Sequence, residues 1–146
     1  MAEGTIRVLL AEDIAILRKG LMVLLGGADD VVVAGEAADG LEAVSQADAL
    51  VPDVVLMDLS MPRLDGAEAV AEIKRRHPGM RVLVLTAHLD ADLVRKTRAA
   101  GADGYLLKNV GREELLLAVR RAAVGVSSHS PEVLDLLQAA GKKAAE

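Results

Sequence analysis

Apolar residues gather in five short runs separated by longer stretches of helical period. The runs are Ile6-Arg7-Val8-Leu9-Leu10, Val31-Val32-Val33-Ala34, Val54-Val55-Leu56-Met57, Val82-Leu83-Val84-Leu85 and Tyr105-Leu106-Leu107. Four are apolar almost throughout instead of alternating, which is how strands buried on both faces read. Between them, Ile14, Leu17, Leu21, Leu24 and Leu25 mark one face of a first helix, stopped by Gly26-Gly27. The pattern predicts a second helix from Gly40 to Leu50, ahead of Pro52. A third opens after Asp65, with Glu68 three residues on as in a capping box, and closes before Pro78-Gly79. A fourth runs from Ala91 to Ala100 and ends at Gly101; a fifth runs from Arg112 to Val124 and turns Leu115, Leu116, Val119 and Ala122 inward. Strand–helix alternation repeated five times predicts an α/β fold, a parallel sheet covered on both faces. Beyond Gly125, Ser130 as a cap and Pro131 at a first helical position predict a short sixth helix carrying Val133, Leu134 and Leu137. Residues 141–146 have little to bury and read as a linker or a frayed end.

Composition narrows the function. The chain has 146 residues, the length of one domain, and 52% hydrophobic residues, enough for a real core. One Tyr, with no Phe and no Trp, leaves an aliphatic core and argues against modules that stack bases or flavins on aromatic faces. A formal net charge of −5 argues against direct nucleic-acid binding by this segment. The absence of cysteine excludes disulfides, Cys-based zinc sites and thiol nucleophiles. Glu12 and Asp13 break the N-terminal apolar stretch, so it is no signal peptide, and no run approaches the ~18 residues of a membrane span. A soluble cytoplasmic protein without membrane association is expected.

Ligand sites in open parallel sheets form outside the carboxyl ends of the strands. Glu12 and Asp13 follow the first strand, Asp58 the third, Thr86 ends the fourth and Lys108 follows the fifth. Crowded carboxylates stay ionised only when positive charge neutralises them. Mg²⁺, which takes carboxylates, waters and a phosphate oxygen, suits the set. Lys108 and the Thr86 hydroxyl suit phosphoryl oxygens, and Asp58, central in the row, is the candidate nucleophile for a covalent phosphoryl intermediate. Each residue also has a structural role open to it: Asp13 as a helix cap, Asp58 as the start of the Leu59-Ser60-Met61-Pro62 turn. Their joint placement after four strands is what singles them out. His77, His88 and His129 lack metal-ligand spacing, and His88 is placed to overhang the site. No phosphate-cradling glycine loop is present, which argues against a nucleotide cofactor.

Glu12-Asp13, Asp58 with Met61-Pro62 and Gly66, Thr86-Ala87, and Gly104-Tyr105-Leu106-Leu107-Lys108, in that order across residues 5 to 125, resemble the receiver domains of bacterial two-component response regulators. Val33-Ala34-Gly35-Glu36-Ala37 and Gly101-Ala102-Asp103-Gly104-Tyr105 resemble the NarL/FixJ (LuxR-type) subgroup. The resemblance implies a doubly wound, flavodoxin-like sheet of strand order 2-1-3-4-5. It implies a receiver over residues 1–126 and, over 127–146, a linker with the sixth helix leading toward a C-terminal helix-turn-helix output domain. Asp58 would accept a phosphoryl group from a sensor histidine kinase. Glu12, Asp13, Asp58 and the Ser60 carbonyl would hold Mg²⁺. Thr86 and Lys108 would bind phosphoryl oxygens, and Thr86 and Tyr105 would switch together, with homodimerisation or release of the output domain as the result. Asn109 stands where many receivers have a cis-linked proline; a cis bond here would cost about 3 kcal/mol, so a trans bond is expected. Turnover as an enzyme is not expected: aspartyl phosphatases place a second Asp two residues after the first, and here that position is Ser60. The competing reading is a stand-alone or pseudo-receiver that acts through protein contacts without phosphorylation.

Overall fold

A computed structural model describes residues 4–59, 65–87, 90–131 and 133–135. Strands and helices alternate as β1 (Ile6–Ala11), α1 (Ala15–Gly26), β2 (Val31–Ala37), α2 (Gly40–Leu50), β3 (Val54–Asp58), α3 (Gly66–Arg76), β4 (Arg81–Thr86), α4 (Ala91–Ala99), β5 (Gly104–Leu107) and α5 (Arg112–Ala123). The strands form one parallel sheet in the order β2-β1-β3-β4-β5. The expected fold class is therefore found, with the short C-terminal helix present as helical residues Pro131 and Val133–Asp135.

The unbroken apolar strands are explained by two cores, one on each face of the sheet. Leu9, Val55, Met57, Val82, Val84 and Tyr105 pack toward α2, α3 and α4 through residues such as Val44, Ile73 and Val94. Val8, Leu10, Leu56, Leu83, Leu85 and Leu106 pack toward α1 and α5 through Leu25, Leu115 and Val119. Successive residues of a strand thus serve opposite layers, and neither face tolerates a polar alternation. β2 departs from this: it is an edge strand, and its Val32 is half-exposed.

The predicted inward face of α1 holds only in part. Leu25 is buried, but Ile14 and Leu17 remain 48% and 43% exposed. Asp13 does not cap this helix; Ile14 occupies the cap position, with no side-chain cap bond. Asp39, Asp65 and Asp90 do cap α2, α3 and α4, Asp65 by accepting from the Glu68 amide at 2.8 Å. The Ser130 hydroxyl is turned to β5, where it accepts from the Leu107 amide at 3.0 Å. No described peptide bond is cis, so Lys108–Asn109 is trans.

Candidate functional site

The sheet reverses its winding between β1 and β3, and the crevice at a reversal point is where this class of sheet places its ligands. β1 runs out at Ala11 and delivers Glu12 and Asp13; β3 ends on Asp58 itself. These three carboxylates offer ligand atoms that all lie within 4.8 Å of one another. From the far side, β5 delivers Lys108, whose Nζ lies 2.6 Å from Glu12 Oε1 and 3.1 Å from Asp58 Oδ1. The Lys108 amide donates to the Thr86 carbonyl at 2.8 Å, which ties the end of β5 to the end of β4. Thr86 itself is buried. The structure thus brings together Glu12, Asp13, Asp58 and Lys108, with Thr86 on the neighbouring strand end. Ser60 and His88 lie outside the described residues, as do Met61 and Pro62.

Local packing fixes the acidic loops. Gly66 opens α3 directly behind Asp58; a Cβ there would stand 2.6 Å from the Leu59 Cα. The glycine therefore lets the helix start close against the strand end. On the other side, Arg18 of α1 reaches back to donate to the Glu12 carbonyl at 2.6 Å and to Glu36 Oε1 of β2 at 2.9 Å. That bridge pins the β1–α1 loop to the edge strand. Nothing in the spacing of Arg18 marked it in the sequence, because its two partners lie on different elements.

The electrostatics arise from crowding and burial. Glu12 is 1% exposed, and its pKa is raised to about 7, first by burial and then by hydrogen bonding to Asp58, with the Lys108 bond pulling the other way. Burial works against the Lys108 ammonium, yet the Glu12 bond and the neighbouring Asp58 together hold its pKa above the ordinary lysine value. One ammonium does not satisfy the acids: Glu12 Oε2 is buried without a hydrogen-bond partner. A buried carboxylate oxygen left unpaired is costly, and a hard cation at the three carboxylates would relieve it. The donor set is all oxygen and suits Mg²⁺ better than a softer metal.

Tyr105 is fully buried on the α4 side, where burial pushes its pKa up to about 12. Its hydroxyl donates to Thr97 Oγ1 at 2.7 Å and lies 3.0 Å from the Val94 carbonyl. His129, expected only in a loop, stacks on this ring, with centroids 5.7 Å apart. Neither contact has a local sequence signal. His77 closes α3 and bonds Asp48 at 2.8 Å, far from the acidic crevice.

Residues 8–120 match the response regulator receiver domain family. The chain belongs to that family. This receiver is 39% identical over 142 residues to the response regulator protein VraR of Staphylococcus aureus, an alignment spanning 97% of this chain and 68% of VraR. A LuxR-family two-component response regulator from Aurantimonas sp. SI85-9A1 superposes with a TM-score of 0.87 at 31% identity, over 97% of this chain and 99% of that one. The isolated REC domain of RcsB from Salmonella enterica serovar Typhimurium, solved in the presence of the phosphomimetic BeF3−, superposes at 0.81 with 26% identity, over 90% and 98%. The family's members are signal transducers, and this chain is a receiver of the LuxR-type response regulators. No described helix is long and apolar enough to cross a membrane.

Proposed function

We propose that Asp58 accepts a phosphoryl group from a sensor histidine kinase, and that the acylphosphate changes the receiver so as to control a C-terminal helix-turn-helix output domain. The observation that carries this reading is the junction of Glu12, Asp13, Asp58 and Lys108 at the reversal point of the sheet. An Asp58 carboxylate oxygen attacks phosphorus. The new O–P bond forms as the P–N bond to the donor imidazole breaks, and the imidazole leaves with the electron pair. Lys108, which reaches both Glu12 and Asp58, turns its ammonium to the transferred oxygens, and the Thr86 hydroxyl donates to another. Glu12, Asp13, Asp58 and the Ser60 carbonyl would hold Mg²⁺, which when bound neutralises the crowded acids and the charge developing on the phosphoryl oxygens. The donor approaches along an apolar cleft of about 350 Å³ beside Lys108, lined by Ile16, Leu17, Gly20 and Leu24 of α1.

The acylphosphate adds about −1.5 to −2 charge to an already acidic crevice. Thr86 and Lys108 reorganise around it, and Tyr105 and α4 respond, so one modification shifts a two-state balance. Residues 127–146 lead toward the output domain, and homodimerisation is one route for the signal.

Incubation with radiolabelled acetyl phosphate and Mg²⁺ tests the assignment. The wild-type chain should take up label, and D58N should take up none while keeping its circular dichroism. Label retained by D58N would move the acceptor elsewhere.

A further inference from the structure

β5 is the outer strand of the sheet, and an outer strand normally exposes a row of unpaired amides and carbonyls. Here that row is taken up by the chain's own residues 128–130. The Tyr105 amide donates to the Ser128 carbonyl at 2.9 Å, and the Ser130 amide donates to the Tyr105 carbonyl at 2.9 Å. The Ser130 hydroxyl then accepts from the Leu107 amide at 3.0 Å, one residue before Lys108. Gly104 makes the approach feasible, since a Cβ there would stand 2.5 Å from the Ser128 carbonyl oxygen. His129 lies flat on the Tyr105 ring, and Val133 is fully buried in the α4-side core.

This strap is held by its contacts with β5 more than by comfort of its own. Ser128 Oγ and His129 Nδ1 are both buried without a hydrogen-bond partner. Groups desolvated in this way disfavour the docked state. Docking therefore depends on how well β5 and Tyr105 present themselves, and the strap in turn fixes both. The strap's hydrogen bonds to β5 fall on Tyr105 and Leu107.

We infer that Ser130 and His129 are positioning residues of the phosphoacceptor site, acting through β5 to set Lys108 and to hold Tyr105 inward. The inference rests on the phosphoacceptor reading above and adds the C-terminal strap to it. Coupling of this kind is reciprocal: if the docked strap favours phosphoryl binding, phosphoryl binding favours the docked strap. The strap is thereby the physical link between the acidic crevice and the C-terminal part of the chain.

Beryllofluoride with Mg²⁺, titrated into the full chain and followed by ¹⁹F NMR, tests this. Against wild type, S130A and H129A should each bind beryllofluoride about fivefold more weakly, the ~1 kcal/mol worth of one lost contact. S130T and H129F, which keep the hydroxyl and the flat ring, should return toward wild type. Mg²⁺ affinity measured calorimetrically without beryllofluoride should be unchanged in all four, an outcome that general damage to the fold would not give. A measurement without variants runs alongside: in wild type, beryllofluoride should slow hydrogen exchange at the Tyr105, Leu107 and Ser130 amides. No beryllofluoride signal in wild type would sink the phosphoacceptor reading, and this inference with it. A normal wild-type signal with S130A and H129A binding equally well, or unaltered exchange at those amides, would sink the strap alone.

Discussion

Glu12 concentrates the electrostatic tension of the site in one side chain. Its carboxyl has an ordinary value of 4.5 and stands at about 7 in the folded chain, raised first by burial and then by bonding to Asp58. Between those values the folded chain keeps a proton that the unfolded chain has released. Stability therefore falls as pH rises through this window and levels off above about 7. His129 acts in the opposite sense: burial lowers its pKa, so its contribution is lost as pH drops below the ordinary histidine value of 6.5. The two overlap, and a substitution is needed to separate them. Relative to E12Q, the wild-type chain without divalent cation should lose on the order of 2 kcal/mol of unfolding free energy between pH 4.5 and 7. Urea unfolding of both proteins across that range measures it. A constant difference between them would show that Glu12 titrates normally. The residues of the site were legible in the sequence because each ends or follows a strand, so the alternation of elements placed Glu12, Asp13, Asp58 and Lys108 on one edge. Arg18 and His129 were not legible, since their partners, the Glu12 carbonyl with Glu36 and the Tyr105 ring, are fixed only by tertiary packing.

At the scale of elements, α2 shows both what a one-dimensional pattern carries and what it omits. Its span from Gly40 to Leu50 was readable from Pro52, which forbids continuation, and from the apolar spacing ahead of it. How it stops was not readable. Val51 takes the left-handed conformation at φ 45° and ψ 62°, and its amide donates to the Ala47 carbonyl at 3.0 Å. This ending usually belongs to glycine or asparagine, and a β-branched residue there is strained. Arg7 of β1 accounts for the arrangement: its guanidinium donates to the Leu50 carbonyl at 2.7 Å and the Val51 carbonyl at 3.1 Å, pulling the helix end onto the sheet. Val51 is 57% exposed, so little burial is at stake in replacing it. V51G should therefore stabilise the chain by about 0.5–1 kcal/mol, the relieved strain less the freedom glycine adds to the unfolded state. A higher urea midpoint at unchanged slope is the expected reading; a lower midpoint would mean that Val51 sits without strain. The first helix gives the complementary lesson. Its apolar period was real, but periodicity defines a face without saying how much of it the sheet covers, and Ile14 and Leu17 were left outside.

For the whole molecule, the layered design sets how its two ends differ in importance. The sheet order brings β1 and β3 to the centre, so the acidic crevice rests on strands with neighbours on both sides. β5 has β4 on one side only, and its other side is completed by residues 128–130. The segment after α5, expected to hold a linker and a short sixth helix, thus contributes Val133 to the α4-side core and three hydrogen bonds to the outer strand. A chain ending at Val126 should still fold, because among the described residues every other member of both cores lies before that point. It should fold less tightly. Burial of a valine is worth about 1.5–3 kcal/mol, and the conformational freedom recovered by the deleted residues offsets part of it. A net loss of about 1–2 kcal/mol is expected, read as a melting temperature several degrees lower in a transition that stays cooperative. Tyr105, stripped of the His129 ring and its strand partner, should become accessible to acrylamide quenching, and as the chain's sole fluorophore of this kind it reports without labelling. Equal melting temperatures and an equally shielded tyrosine would mean that the C-terminal segment merely lies on the sheet, whereas a loss confined to β5 would single out the outer edge, and not the acidic crevice, as the part of the receiver whose order depends on the C-terminal segment.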